Sequence, residues 1–189
     1  MRASPTPLDG VLLLEPDIHE DERGMFTEAY SQRDFAELGI AHPFVQDNRS
    51  VTRRGFLRGL HFQFVRPQAK LVSVERGAAY DVAVDLRLGS PSYGRYLTME
   101  LDGERRRMLY LPVGFAHGFL ALTPWVIFSY KTSDYYSGPL DQHGVRWDDP
   151  GLAIPWPMPH PRTNAKDAAL PTFAELVDRG TLFRYEPAH

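Results

Sequence analysis

The sequence predicts an all-β fold, a sandwich or a barrel that carries a few short helices. Residues 82–86 and 97–101 alternate apolar and polar side chains, which is the period of a strand. Further short runs rich in β-branched and aromatic residues are also strand candidates, and they lie at residues 71–74, 108–111, 119–122 and 126–130. Turn-forming residues separate these runs at 9–10, 89–91, 102–103 and 137–139. Many short strands joined by tight turns are typical of sandwiches and barrels.

Two short helices are predicted among the strands. The first begins after Ser31, where Asp34 three residues later fits a helix start, and it ends at Gly39. The second begins near Thr172 and ends by Gly180. Its predicted apolar side consists of Phe173, Leu176 and Val177.

Residues 155–163 contain four prolines and are predicted to form an extended segment that lies over the barrel. Proline lacks the backbone N–H that a regular ladder requires. Trp156 and Met158 gain from burial, which favours a packed segment over a free linker.

Bulk composition limits the classes of protein. With 189 residues, we expect one domain spanning 1–189. A net charge of −3 offers no basic field for nucleic acid or for a membrane surface. The chain contains no cysteine, which excludes disulfides, zinc–thiolate sites and thiol nucleophiles. The apolar runs are too short to span a bilayer, and no signal peptide is evident, so we expect a cytoplasmic protein.

His61 is a polar residue within an apolar and aromatic run. A metal site is disfavoured, because Gln63 follows where a second ligand would stand and His117 is isolated. As a general base, His61 needs a carboxylate that fixes its tautomer, and Asp167 is a candidate. The alternatives are a hydrogen-bonded core histidine for His61 and a capping or solvent-facing carboxylate for Asp167.

Tyrosines are concentrated at residues 130–136. Tyr130, Tyr135 and Tyr136 lie there in a stretch of polar and aromatic residues. A buried tyrosine hydroxyl can donate a proton, and a tyrosine ring can stack on a base or a sugar. The alternative is that these tyrosines are structural residues of the barrel core and of its rim.

Three cations stand in short motifs beside glycine or glutamine. Arg23, Arg58 and Lys70 can hold a diphosphate, the arginines through a planar fork and the lysine as a point charge. The alternative for each is a solvated surface residue.

Together these motifs resemble the dTDP-4-dehydrorhamnose 3,5-epimerase family, which implies a double-stranded β-helix, the cupin-like jelly-roll barrel. The resemblance covers nearly the whole chain in order. It rests on DERGMFTE (21–28), VQDNRS (45–50), GFLRGLHFQ (55–63), QAKLV (68–72), DVAVDLRLGSPSYGRY (81–96), LPVGFAHGFLAL (111–122), YKTSDYY (130–136), VRWDDPGLAIPWP (145–157) and NAKD (164–167).

The resemblance implies a catalytic set. His61 matches the family's base, Asp167 the carboxylate paired with it, and Tyr130 the proposed acid on the opposite face of the sugar. Lys70 and His117 match residues that line the sugar pocket, and Lys70 is placed to stabilise enolate charge.

The resemblance also implies nucleotide-binding residues and a homodimer. Two of the matches are expected to come from the partner subunit, since exchanged strands would close the barrel edges. The matches are Arg23, Asn48 and Arg58 for the diphosphate, Phe26 and Glu28 for the nucleotide across the dimer, Gln46 for the pocket and Tyr136 for a stacked ring.

The implied reaction is epimerisation at C3 and C5 of dTDP-4-dehydro-6-deoxy-D-glucose, giving dTDP-4-dehydro-L-rhamnose in dTDP-L-rhamnose biosynthesis. A C4 ketone acidifies the hydrogens on both neighbouring carbons, so one base can form an enolate at each in turn. We expect no metal, nicotinamide or flavin, since the sequence shows neither a ligand set nor a glycine-rich dinucleotide loop.

The chain departs from the family pattern in a few places. Phe62 stands where tyrosine is common, Ser129 adjoins Tyr130, and the segment at 137–145 is longer and lacks the usual glutamates. These departures affect substrate fit more than reaction class. The alternatives are an epimerase acting at C3 alone in another deoxysugar pathway, a non-catalytic nucleotide-sugar binding barrel and a metal-dependent oxygenase.

Overall fold

The computed structural model describes residues 1–186, which form fifteen strands and three short helices. The strands are β1 Arg2–Pro5, β2 Leu12–Glu15, β3 His19–Asp21, β4 Gly24–Phe26, β5 Gln46–Arg53, β6 Leu57–Gln63, β7 Lys70–Arg76, β8 Ala78–Asp85, β9 Arg87–Leu88, β10 Tyr96–Asp102, β11 Met108–Leu111, β12 Phe115–Ala121, β13 Trp125–Thr132, β14 Gln142–Gly144 and β15 Phe183–Arg184. The helices are α1 Gln32–Glu37, α2 Ala165–Ala168 and α3 Phe173–Asp178. The predicted domain at 1–189 includes residues 187–189, which lie outside the described residues.

Two antiparallel sheets make up most of the molecule. One has six strands in the order β1-β2-β11-β7-β13-β5, and the other has five in the order β10-β8-β12-β6-β14. Strands that are distant in sequence pair within each sheet, as a jelly-roll barrel requires. The predicted all-β fold is confirmed, and each of the six predicted strands is present as β7, β8, β10, β11, β12 or β13.

The main core lies between the two sheets. Side chains alternate along each strand, so Val72 and Val74 of β7 point inward together with Ala83 of β8. The rings of Phe119 and Phe128 stack across the core with centroids 4.0 Å apart. Alternation fixes register, because a one-residue slip would turn these side chains to the opposite face.

Chain segments outside the sheets cover their outer faces. Phe35 and Ile40, from α1 and the turn after it, pack with Leu71 on the six-stranded sheet. The C-terminal segment packs Leu152 and Leu176 on the outer face of the five-stranded sheet. Both covers shield apolar side chains that water would otherwise contact.

The two predicted helices form with the expected caps. The Ser31 hydroxyl accepts from the Asp34 N–H, and Thr172 forms a capping box with Glu175. One expectation is wrong: Val177 is 43% exposed, because α3 turns only a narrow face containing Leu176 toward the core. The four-residue α2 was not predicted from the sequence.

The proline-rich segment lies against the barrel without regular structure over residues 155–161. The Trp156 indole N–H donates to the Trp147 carbonyl at 2.8 Å, and its ring packs beside Tyr80. Trp156 and Met158 are partly buried, as expected.

Among the described residues, no helix has the length and apolar character needed to cross a membrane.

Candidate active site

The two sheets enclose a polar cavity of about 110 Å³. Most of the sequence-predicted site residues line it, from both sheets. They are Gln46, Asn48, Arg58, His61, Lys70, His117, Tyr130 and Tyr136.

His61 and His117 lie directly opposite each other on β6 and β12, on the wall formed by the five-stranded sheet. Glycines let these two strands approach closely at this point. A Cβ on Gly59 would lie 2.6 Å from the Gly118 Cα, so larger residues would push the strands apart. The glycines therefore help to place both imidazoles in the cavity.

His61 is held by Asp167, as predicted. Its Nε2 lies 2.8 Å from Asp167 Oδ1, and the Gly59 N–H donates to Oδ2 at 3.0 Å. The Asn164 side chain caps α2 by accepting from the Asp167 N–H. Asp167 is 1% exposed, so the alternative of a solvent-facing carboxylate is wrong.

The Asp167 carboxyl stays ionised in this position. Burial alone would raise its pKa, but hydrogen bonds from His61 and Gly59 and the charge of Lys166 lower it overall. An ionised partner accepts from Nε2–H, which leaves Nδ1 of His61 with a free lone pair. That nitrogen can remove a proton from a bound substrate.

A second histidine–aspartate pair lies in the same wall, and the sequence analysis did not identify its carboxylate. His117 Nε2 lies 2.8 Å from Oδ2 of the fully buried Asp81. The only sequence signal for Asp81 is an aspartate at an inward-facing position of the apolar strand β8. Charged residues are rarely buried unless paired.

The opposite wall, from the six-stranded sheet, carries Lys70 and Tyr130. Tyr130 of β13 pairs directly with Asn48 of β5, and Thr132 pairs with both Lys70 and Gln46. All of these side chains point inward, because they alternate with the outward residues of their strands.

Lys70 is buried beneath the cavity, and its ammonium donates to the His61 carbonyl at 3.0 Å. Burial lowers the pKa of Lys70 to about 8, although the nearby Asp81 charge opposes the shift. At neutral pH the ammonium remains mostly protonated and supplies positive charge to the cavity.

Tyr130 remains a proton donor at neutral pH. Burial raises the pKa of its hydroxyl, Arg58 partly opposes this, and Tyr136 adds to it. The protonated phenol of Tyr130 therefore faces the five-stranded sheet, which carries His61.

Polar side chains fix the rim of the cavity. Gln46 donates to Asn48 Oδ1 at 2.8 Å and accepts from the Tyr136 N–H at 2.9 Å. Arg58 Nε donates to the Thr52 hydroxyl at 3.0 Å, which leaves the other guanidinium nitrogens for a ligand.

The three remaining predicted residues lie outside this cavity. Arg23 is in the β3–β4 turn, where it pairs with Asp21, and Phe26 is 69% exposed. Phe26 and Glu28 line a surface hollow near Asp17. Within one chain these residues do not reach His61, and their nucleotide role stays a prediction.

Several cavity residues were not predicted from the sequence. They are polar residues on strands or loops whose neighbours were identified: Gln63, Gln68, Thr132 and Gln142. Gln63 had been noted only as the position where a second metal ligand was missing. Within residues 1–186, no three or more histidine, aspartate or glutamate side chains cluster in a way that could hold a metal ion.

Comparison with known proteins identifies the family. A family model described as dTDP-4-dehydrorhamnose 3,5-epimerase matches residues 5–175. The chain belongs to this family. A Methanothermobacter thermautotrophicus protein named dTDP-4-dehydrorhamnose 3,5-epimerase is 49% identical over 153 residues, which is 81% of this chain and 82% of the relative.

Another family member differs in its named activity. A Streptomyces niveus protein named dTDP-4-dehydrorhamnose 3-epimerase is 42% identical over 187 residues, covering 98% of this chain and 90% of the relative.

A solved epimerase structure has the same fold. The dTDP-6-deoxy-D-glucose-3,5-epimerase RmlC from Legionella pneumophila, in complex with dTDP-4-keto-L-rhamnose, superposes with a TM-score of 0.93 at 43% identity. The match covers 98% of this chain and 99% of that one. The predicted cupin-like jelly roll is thereby confirmed.

Proposed function

We propose that this enzyme epimerises C3 and C5 of dTDP-4-dehydro-6-deoxy-D-glucose, without a cofactor, in dTDP-L-rhamnose biosynthesis. The observation that carries the proposal is the placement of His61 and Tyr130 on opposing walls of one cavity. Inversion of a carbon by proton transfer requires removal from one face and return to the other. A base and an acid on facing sheets meet that requirement.

His61 Nδ1 is the base for both carbons. It takes the proton from C3, the C–H electrons form a C3–C4 double bond, and the C4 carbonyl electrons move to oxygen. Tyr130 then gives a proton to the opposite face of C3, and the ketone re-forms. Exchange with water restores both groups before the same sequence at C5, so no oxidant or reductant is consumed.

Lys70 stabilises the enolate. Its buried ammonium lies beside the His61 strand, where charge develops on the C4 oxygen. Preorganised charge in a water-poor cavity is usually the largest contribution to such catalysis.

The substrate class fits the cavity rim. Arg58 and Asn48 provide donors for a diphosphate, and the half-exposed Tyr136 ring can stack on the nucleotide. The sugar-nucleotide complex of the Legionella relative supports this assignment.

We also propose a homodimer in which the β3–β4 hairpin reaches the partner's cavity. Each of the six residues in its two strands is exposed, and the hairpin pairs with no other strand among the described residues. Met25 and Phe26 are apolar side chains on this unsupported hairpin, which fits burial against a second subunit. A cytoplasmic location stays a prediction.

Epimerisation at C3 alone is the second candidate. It is favoured by the Streptomyces niveus 3-epimerase, whose match extends over nearly the whole of this chain. The histidine, aspartate, lysine and tyrosine described above serve either outcome, because both begin with an enolate at C3.

Product analysis separates the two activities. The purified enzyme is incubated with dTDP-4-keto-6-deoxy-D-glucose, the ketone is reduced with borohydride, and the released sugar is identified. C5 fixes whether a hexose belongs to the D or L series, so L-rhamnose demonstrates inversion at both carbons. A D-series sugar altered only at C3 would support the second candidate, and unaltered sugars would overturn both.

A further inference from the structure

A loop without regular secondary structure carries Tyr136 to the rim of the cavity. The loop consists of residues 133–141, which join β13 to β14, and we call it the tyrosine loop. Tyr136 lines the cavity and is 48% exposed. Its backbone N–H donates to Gln46 Oε1 at 2.9 Å, which ties one point of the loop to the barrel. The direction of the ring therefore depends on how the rest of the loop is held.

Arg66, in the loop after β6, contacts both ends of the tyrosine loop. Its Nε donates to Asp134 Oδ2 at 2.9 Å, and a second guanidinium nitrogen donates to Oδ1, so the ion pair is bidentate. Its backbone N–H donates to Asp141 Oδ2 at 3.0 Å. Tyr136 lies between these two aspartates in the sequence. One residue therefore fixes the loop on both sides of the ring.

The Asp134 carboxylate passes the position of Arg66 on to the backbone beside the ring. Its Oδ1 also accepts from the Tyr135 N–H at 2.7 Å, and Tyr136 is the next residue. The Asp134 carbonyl accepts from the side chains of Gln68 and Thr132, each at 2.9 Å. The chain entering Tyr136 is thus held by contacts that converge on Asp134.

We propose that Arg66 is a positioning residue for nucleotide binding, which fixes the Tyr136 ring where it stacks on the base of the substrate. The inference rests on the proposed function. Neither loop carries His61, Lys70 or Tyr130, so Arg66 acts on binding and not on proton transfer. A ring that is already in place loses less conformational freedom when the base binds.

The exposure of the ion pair separates this role from a purely structural one. The Arg66 side chain is 50% exposed and that of Asp134 is 31% exposed. Ion pairs on the surface contribute little to folding stability. Loss of the pair should therefore be visible in nucleotide affinity, with little change in Tm.

A double-mutant cycle tests whether Arg66 acts through the ring. Arg66→Gln removes the guanidinium but keeps the backbone N–H that donates to Asp141. The same change is made in a Tyr136→Ala background, which completes the cycle. The matched control is Arg146→Gln, because Arg146 also forms a bidentate pair, with Asp148, but within one short segment. The readouts are the Kd of dTDP by titration calorimetry, kcat with dTDP-4-keto-6-deoxy-D-glucose, and Tm.

We expect Arg66→Gln to raise the Kd of dTDP by about 2- to 5-fold, the range for an exposed ion pair, and to leave kcat within twofold. The Tm should fall by no more than about 3 °C. In the Tyr136→Ala background the same change should have no further effect on the Kd, because the ring through which Arg66 acts is absent. Arg146→Gln should leave the Kd unchanged.

Three results would overturn the inference. The first is a wild-type Kd in Arg66→Gln. The second is an equal loss of affinity with and without the tyrosine ring, since Arg66 would then act on the nucleotide directly or through its charge. The third is a fall in kcat as large as the loss of affinity, which would indicate a distorted cavity.

Failure of the proposed function gives a different result. In that case the wild-type enzyme itself neither binds dTDP nor turns over the ketosugar, whereas failure of the Arg66 inference leaves both properties of the wild type intact.

Discussion

At the scale of single residues, the proposed chemistry depends on the paired side chains of His61 and Asp167. Asp167 fixes the tautomer by accepting from Nε2–H, and its own position is fixed by the Gly59 N–H and by the α2 cap. Replacing Asp167 by asparagine separates the effect of its charge from the effect of its position. The amide has the same size and can still accept one hydrogen bond, but it is neutral.

Asp167→Asn should lower kcat by on the order of 10²-fold or more, because the amide can hold the imidazole in the wrong tautomer and does not stabilise its protonated form. Steady-state kinetics on the ketosugar measure the effect. The surface residue Asp148, changed to Asn, is the control, and a kcat within threefold of wild type for Asp167→Asn would contradict this role.

The lowered pKa of Lys70 predicts how kcat depends on pH. Its pKa is lowered to about 8, so it is charged below that pH and neutral above it. Activity that needs the ammonium is therefore present below pH 8 and is lost as the pH rises through that value. We expect kcat to fall along this limb.

Lys70→Arg should remove the alkaline limb, since arginine keeps its charge throughout this range. The profile is measured between pH 6 and pH 10 for both proteins, with a stability check at each pH. An identical limb in the arginine variant would show that another group titrates there.

At the scale of elements, the sequence predicted the strands that have an apolar pattern and missed β5 and β6, which carry much of the cavity. Val82 and Val84 alternate with inward-facing side chains, and β8 was predicted from them. On β5, Gln46 and Asn48 face inward, so the strand has no apolar periodicity. β6 is buried on both faces, which hides its alternation. The strands β7, β12 and β13 also carry cavity residues, but their apolar runs still revealed them, whereas β5 and β6 were not predicted as strands.

The buried carboxylate of Asp141 joins the loop that follows β6 to the loop that precedes β14. Asp141 accepts from the backbone N–H groups of Phe64, Val65 and Arg66 at 3.0, 2.6 and 3.0 Å, and also from the Ser137 hydroxyl. Burial opposes ionisation, but these hydrogen bonds lower its pKa overall. The stabilisation is present above the ordinary pKa of 3.8 and is lost as the pH falls through the lowered value.

Asp141→Asn should reduce the free energy of unfolding by about 1.5–3 kcal/mol, the range for hydrogen bonds to a charged group. For a chain of this length, that corresponds to a Tm lower by roughly 3–12 °C, measured by calorimetry at pH 7. Asp178→Asn, at an exposed position of α3, should change the free energy by no more than about 0.5 kcal/mol. Equal Tm values for both variants would refute the anchoring role.

At the scale of the whole molecule, the family resemblance indicated the proposed catalytic set, but residues outside the quoted family roles were missed. The resemblance identified His61, Tyr130 and Asp167, and the fold brings His61 and Asp167 together across 106 positions of sequence. Asp81 and Gln142 were missed, because a lone aspartate or glutamine has no sequence signature. Only the fold shows that Asp81 is the partner of His117 and that Gln142 lines the cavity.

The proposed dimer predicts complementation between two inactive subunits. Co-expressed His61→Ala and Phe26→Ala chains should form mixed dimers in which one cavity has both an intact His61 and the partner's intact Phe26. Activity should therefore exceed that of either variant alone. The mixed dimers are isolated with two affinity tags, and activity no higher than the parents would place Phe26 in its own subunit or outside the site.

Deuterium entry from solvent is the most direct test of the central claim that His61 abstracts protons at both carbons beside the ketone. Wild-type enzyme and His61→Ala are each incubated with dTDP-4-keto-6-deoxy-D-glucose in deuterium oxide, and proton NMR follows C3 and C5. The account predicts exchange at both carbons for wild type and a loss of about 10²-fold or more in the variant. Exchange at undiminished rates in His61→Ala, or none in the wild type, would contradict it.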